Sequence, residues 1–90
     1  MELSKSQEKY LYSIGITAYQ SIEPSEIKEI DKERIMLQPN YISNRINHKF
    51  LPSPLIEVYY DLIKDDTIIG YYKIYLDLNN IIIEEILFLA

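Results

Sequence analysis

The feature that most constrains this chain is an alternation of apolar and polar residues over its last third. From Leu55 to Leu89 the sequence reads as three segments of strand length separated by two short turns. Because successive side chains of a strand point to opposite faces, the alternation predicts a sheet with one apolar face. The turns fall at 64–67 and at Asn79-Asn80, and asparagine tolerates the positive φ that tight hairpins need. We expect a three-stranded antiparallel meander.

The predicted strands run from about Leu55 to Ile63, 68 to 77 and 82 to 89. Each presents two distinct sets of side chains. One set is apolar over the first two strands and is expected to lie beneath helices, with Val58, Tyr60, Tyr72 and Ile74 at its centre. The opposite face, or part of it, is expected to remain exposed to solvent.

A helix is predicted from about Lys5 to Ile22. Ser4 and Gln7 have the spacing of a capping box at its start. Apolar residues recur at helical intervals and form one stripe: Tyr10, Leu11, Ile14, Ala18, Tyr19 and Ile22. Gly15 weakens the helix interior, and a close approach between helix and sheet at this position would account for it.

The middle of the chain is less regular. Pro24 to Arg34 predicts a short charged helix, although Arg34 to Leu37 could instead form a brief strand closed by Pro39. The spacing of apolar residues favours helix over loop from Asn40 to Phe50, before two prolines break the chain at 51–54. The resulting expectation is an α+β fold with two to three N-terminal helices packed on a three-stranded antiparallel meander. It forms one domain over 1–90, mainly helical over 1–54 and sheet over 55–90.

The net charge of the chain is confined to the predicted sheet. Residues 57–90 contain seven acids and two bases, which gives −5, whereas residues 1–56 contain seven of each sign. The face of the sheet opposite the helices combines tyrosines with charged residues, and it is the candidate site for a basic protein partner. Its members are Glu57, Tyr59, Asp61, Tyr71, Lys73 and Tyr75.

Residues that would support catalysis or a cofactor are scarce. The chain has no cysteine, only two glycines and a single histidine, His48, with no nucleophile pattern around it. The adjacent acids Asp65-Asp66 and Glu84-Glu85 lack the spacing of a metal site, since neighbours in a strand point apart. We expect no enzyme activity, no cofactor and no metal.

The sequence also bears on nucleic-acid binding, cellular location and self-association. The basic residues Arg34, Arg45 and Lys49 are offset by preceding acids, so direct nucleic-acid binding is not expected. No secretory signal or membrane-spanning run is recognised, which predicts a cytoplasmic protein. The last predicted strand is apolar over 86–90, and at a sheet edge such a strand is either covered or forms the seam of a homodimer.

The segment from Gly70 to Leu89 resembles the closing hairpin of small immunity proteins from bacterial toxin–immunity systems. It contains Gly70-Tyr71-Tyr72, a strand, Asp77 and Asn80, and then alternating acids and apolar residues. The resemblance implies a non-enzymatic inhibitor of a toxin, often a nuclease. A phage-encoded inhibitor of a bacterial defence system, such as an anti-CRISPR, has the same general build. Isoleucine and tyrosine, which have A/T-rich codons, are abundant in the chain, and a bias toward such codons also occurs in mobile elements. A structural or regulatory homo-oligomer is a further alternative.

Overall fold

A computed structural model describes residues 3–22, 35–45 and 54–90. Within these ranges the chain forms one helix, α1 (Lys5–Gln20), followed by four strands: β1 (Ile35–Arg45), β2 (Leu55–Lys64), β3 (Thr67–Leu76) and β4 (Ile82–Leu89). The strands make one antiparallel sheet in the order β1-β2-β3-β4. α1 packs on one side, called here the helix face, and the opposite side is called the far face.

The expectation of two to three helices on a three-stranded meander is wrong. The described residues contain one helix and a fourth strand, β1. The second half of β1, at 40–45, falls where a helix was favoured over a loop. β1 pairs with β2 from Ile35↔Lys64 to Arg45↔Leu55. Pairing with a distant strand therefore overrides the weak local preference of this segment. The brief strand considered near Leu37 was the better alternative, and the helix predicted from Pro24 to Arg34 lies outside the described residues.

Pro39 does not close β1 but lies inside it. Proline is tolerated there because β1 is an edge strand. Along an edge strand every second backbone N–H points away from the sheet, so its loss breaks no hydrogen bond between strands. A register shift between Pro39 and Tyr41 leaves Asn40 as an extra residue. This β-bulge moves Tyr41 onto the far face, opposite Tyr59, and keeps Ile42 on the helix face.

The two predicted turns are present, and β2, β3 and β4 lie within one residue of their expected bounds. Asp65 and Asp66 have φ of 51° and 62°, as a two-residue type I′ hairpin requires. In the second turn Asn80 has φ of 63°. The Asp77 carboxylate accepts hydrogen bonds from the backbone N–H groups of Asn79 and Ile81, at 2.8 and 3.0 Å. Local side-chain chemistry therefore sets both turns.

The core lies between α1 and the helix face, as the alternation predicts. Fully buried residues line β2 and β3, namely Val58, Tyr60, Leu62, Tyr72, Ile74 and Leu76. α1 contributes Leu11, Gly15 and Tyr19, spaced by four, while Tyr10 of the expected stripe is exposed. The helix begins with the predicted capping box between Ser4 and Gln7.

Helix and sheet make a close contact at Gly15, where the ring of Tyr60 lies against the helix backbone. A Cβ at position 15 would overlap the Tyr60 ring, with its Cε1 at 2.6 Å. The Tyr60 hydroxyl donates a hydrogen bond to the carbonyl of Tyr12, and the two rings meet edge to face at 5.6 Å. The absence of a side chain at Gly15 thus allows a large buried ring to reach a backbone acceptor.

Gly15→Ala is expected to lower the free energy of unfolding by about 1–3 kcal/mol, because overpacking outweighs the better helix propensity of alanine. Urea unfolding followed by circular dichroism measures the change. Thr17→Ala, at an exposed position of the same helix, is the control and should be neutral or slightly stabilising. Adding Tyr60→Phe should relieve part of the Gly15→Ala cost, and strictly additive effects would contradict the contact.

Alkaline pH should destabilise the fold through its buried tyrosines. Burial raises the pKa of Tyr60 and of Tyr72 above the ordinary 10.0, and for Tyr72 the hydrogen bond to Glu85 adds to the effect. The unfolded chain therefore loses these protons first, so stability is present below pH 10 and falls above it. Between pH 8 and 11 each such tyrosine should cost about 1.4 kcal/mol.

Urea unfolding of wild type and Tyr72→Phe at both pH values tests this. The variant should show a loss smaller by about one such contribution. Equal losses in the two proteins would mean that Tyr72 titrates alike in the folded and unfolded states.

Candidate functional site

Four aromatic rings, one from each strand, form a continuous row across the far face. This row is called the aromatic ladder and consists of Tyr41, Tyr59, Tyr71 and Phe88. Neighbouring ring centroids are 4.9, 5.3 and 5.2 Å apart, with interplanar angles of 9°, 20° and 24°. Because each ring stacks on the next, the ladder presents mainly ring edges and hydroxyl groups to its surroundings.

The strand registers bring the four rings together. Tyr41 is directly opposite Tyr59, and Phe88 is directly opposite Tyr71, while Tyr59 and Tyr71 are diagonal neighbours across β2 and β3. Such pairs are close enough for rings to touch. Tyr59 and Tyr71 are half-buried, whereas Tyr41 and Phe88 are 37% and 49% exposed. The ladder is therefore a partly exposed apolar surface outside the core.

Two of these four residues were missed by sequence reasoning. Tyr41 lies in a segment where a helix was expected, and its position depends on the bulge at Asn40. Phe88 was placed on the correct strand but was not included in the candidate site. A signal for Phe88 existed, since the short turn between β3 and β4 limits the register and places it near Tyr71.

Lys73 and Tyr75 extend the ladder along β3. The Nζ atom of Lys73 lies 5.5 Å from the Tyr71 ring centroid and 5.6 Å from that of Tyr75, within cation–π range. Partial burial lowers the pKa of Lys73, but its hydrogen bond to Tyr75 and the nearby charge of Glu57 outweigh this, so the net direction is upward. Lys73 therefore carries its positive charge at neutral pH.

The carboxylates of the candidate site occupy two different environments. Glu57 lies on the far face as expected, but its side chain is fully buried rather than presented to solvent. It accepts a hydrogen bond from the hydroxyl of Tyr41. Asp61 is half-buried and accepts a hydrogen bond from the Asn40 side-chain amide at 3.0 Å. Glu57 thus holds one end of the ladder in place, while Asp61 contributes charge at the surface.

The hydroxyl of Tyr59 is held in its neutral form. Burial is the largest cause of the raised pKa of Tyr59, and the charge of Asp61 raises it further. At neutral pH the Tyr59 hydroxyl can therefore donate as well as accept hydrogen bonds. With the neighbouring carboxylate and ammonium groups, the face offers donors, acceptors and both signs of charge beside a large apolar area.

The part of the chain that the structure describes gives little support for metal binding or catalysis. Residues 3–22, 35–45 and 54–90 contain no group of three or more histidine, cysteine or acidic side chains that could hold a metal. Glu84 and Glu85 point to opposite faces of β4, and Glu85 accepts a hydrogen bond from Tyr72 on the helix face at 2.8 Å. His48 lies outside the described residues.

An apolar groove of about 450 Å³ lies between the first half of α1 and the β3–β4 turn, lined by Leu3, Tyr10, Leu11, Ile56 and Leu78 among others. The described residues that line it include the polar side chains of Ser6, Gln7 and Asn80 but no charged one. Among the described residues, no helix has the length and apolar character needed to cross a membrane.

Comparison with protein-family models, curated proteins and solved structures gives no match to this chain. The resemblance of the closing hairpin to immunity proteins therefore stays a prediction.

Tyr41→Phe should lower the free energy of unfolding by about 1–2 kcal/mol, since it removes a hydrogen-bond donor from the buried carboxylate of Glu57. Tyr59→Phe removes a hydroxyl from the adjacent ring of the same ladder and serves as the matched control, with an expected change below about 0.5 kcal/mol. Chemical denaturation at pH 7 compares the two. Equal changes in the free energy of unfolding of the two variants would show that the hydrogen bond from Tyr41 to Glu57 stabilises the fold no more than the Tyr59 hydroxyl does.

Proposed function

We propose that this chain is a non-enzymatic binding protein that inhibits a basic protein partner through the far face of its sheet. The observation that carries the proposal is the aromatic ladder, which lies on the side of the sheet opposite α1. Tyrosine supplies large contact area and a polar tip with little loss of side-chain entropy, so it is enriched at the centres of protein interfaces. Asp61, Lys73 and Tyr75 complete the contact surface.

The geometry of the ladder favours a protein partner over a nucleic acid. Proteins that bind single strands use exposed ring faces on which bases stack, together with a positively charged groove. In the ladder the ring faces largely cover one another. The net charge of −5 over 57–90 would also repel phosphates. A surface of ring edges and hydroxyls is better suited to side chains of another protein.

The charge of the sheet region favours a basic partner. Electrostatic attraction between a negative surface and a positive cleft speeds association and excludes acidic competitors. Nucleic-acid-handling enzymes have such clefts, and carboxylates that take the place of phosphates would block them. This is the kind of partner that the resemblance to immunity proteins implies. A nuclease of a bacterial defence system, inhibited by a phage-encoded protein, would be recognised by the same chemistry.

The proposal predicts that one or more basic proteins of the source cell bind the wild type and are lost from a ladder variant. Quantitative affinity purification would compare wild type with Tyr59→Ser/Tyr71→Ser. A protein retained only by the wild type would then be purified and its nuclease activity assayed with each form. The wild type should inhibit it, and the variant should bind at least roughly tenfold more weakly, because central aromatic contacts dominate interface energies.

Tyr10→Ser is the matched control, since Tyr10 is an exposed tyrosine on α1, on the other side of the sheet. It should leave the affinity unchanged. For the purified partner, the association rate should fall as salt rises, and Asp61→Asn should reduce that dependence. Equal retention of every basic protein by wild type and ladder variant, or loss caused equally by Tyr10→Ser, would refute the assignment of this surface.

A further inference from the structure

β4 is an edge strand of the sheet that the described residues form, and the register with β3 gives the positions of the backbone groups on its outer side. The backbone N–H of Ala90 donates to the carbonyl of Ile69 at 2.8 Å. In an antiparallel pair, residues that bond to the neighbouring strand alternate with residues that face outward. With Gly70 opposite Leu89 and Tyr72 opposite Leu87, the residues whose N–H and C=O groups point away from β3 are Glu85, Leu87 and Leu89.

The two edges of the sheet differ in how well they are protected. β1 carries a proline and a β-bulge, both of which discourage pairing with another strand. β4 has no proline, and no bulge from Glu84 to Leu89. Three of its apolar side chains are exposed: Ile82 is 39%, Ile83 43% and Phe88 49% exposed. An exposed apolar edge is a template for an added strand.

Glu84 and Glu85 restrict how a second β4 could pair with the first. A symmetric antiparallel pairing centred on Glu85 would place two carboxylates directly opposite each other, which is unfavourable. A pairing centred on Leu87 places Glu85 opposite Leu89 of the second copy, and Ile86 opposite Phe88. It is also the arrangement in which the three outward-facing residues, Glu85, Leu87 and Leu89, meet only one another, so that each of these pairs exchanges two hydrogen bonds.

From these three observations we propose that the chain forms a two-fold symmetric homodimer, in which β4 of one copy pairs antiparallel with β4 of the other, centred on Leu87. The two sheets then form one continuous sheet of eight strands. Both ladders lie on the same side of it, and the Ile86–Phe88 contacts join them. This dimer does not depend on the proposed basic partner, but it would present two copies of the far face on one surface.

Disulfide cross-linking tests the pairing directly, because the chain contains no cysteine. Hydrogen-bonded antiparallel partners have Cα atoms about 5.5 Å apart, within disulfide range. Leu87→Cys should therefore form a covalent dimer under mild oxidation. Glu85→Cys and Leu89→Cys should cross-link when mixed, and each should cross-link much less when oxidised alone. Ser13→Cys, at an exposed position of α1, is the control for random collision.

A charge pair at Leu89 supplies an independent test without oxidation. Leu89→Lys would face Glu85 of the second copy with opposite charge, whereas Leu89→Glu would face it with like charge. Sedimentation equilibrium should give a dimer dissociation constant roughly tenfold higher for Leu89→Glu than for Leu89→Lys. Chemical denaturation of both variants shows whether the folded monomer is equally stable, which removes folding as a cause of the difference.

A wild-type protein that remains monomeric at about 200 µM, where even a small interface is populated, would overturn the proposal. So would a dimer in which Leu87→Cys fails to cross-link, or in which the two Leu89 variants associate equally. Since each readout is self-association of the purified chain, none of these results bears on whether the far face binds a basic protein.

Discussion

The register of the β2–β3 hairpin is the constraint on which the rest of the structure depends. Asp65 and Asp66 fix a two-residue turn, and the strands then pair from Lys64↔Thr67 to Ile56↔Leu76. One register shift near Ile63 is absorbed next to the turn. Beyond it, a slip of one residue would exchange the two faces of a strand and move the buried rings to the surface. The division into helix face and far face is therefore set here.

A single described helix against a four-stranded sheet covers one face, and the chain uses the two faces differently. On the helix face, Tyr60 and Tyr72 are buried with their hydroxyls bonded to Tyr12 and Glu85. Burial of these two tyrosines is tolerated because each of the two hydroxyls has a hydrogen-bond partner. On the far face the rings of the ladder stack on one another, and the side chain of Glu57 is withdrawn completely from solvent. The same residue type thus forms a core on one side and a surface on the other.

The ladder combines the two properties that a recognition surface needs. Its rings are held by strand pairing and mutual stacking, so little side-chain entropy remains to be lost on binding. Its flanks carry charge from Asp61 and Lys73, which orient a partner without interrupting the apolar area. The exposed edge of β4 adjoins this surface at Phe88. Self-pairing at that edge would enlarge the recognition surface, because the rows of side chains on the far face would continue into the second copy.

Alternation in β2, β3 and β4 was enough to predict their bounds, their turns and the buried set around Val58 and Ile74, because faces and tight turns are encoded locally. A close approach at Gly15 was an explanation that the sequence allowed, and only the position of the Tyr60 ring shows it. The capping box at Ser4 was predictable from the sequence because its two residues are local partners. The β1 strand, the place of Tyr41 in the ladder and the burial of Glu57 were not. They depend on pairing between segments distant in sequence, with a bulge at Asn40 that no local pattern indicates. The sequence by itself determined which residues share a face, and only the tertiary structure decided which faces meet and what remains exposed.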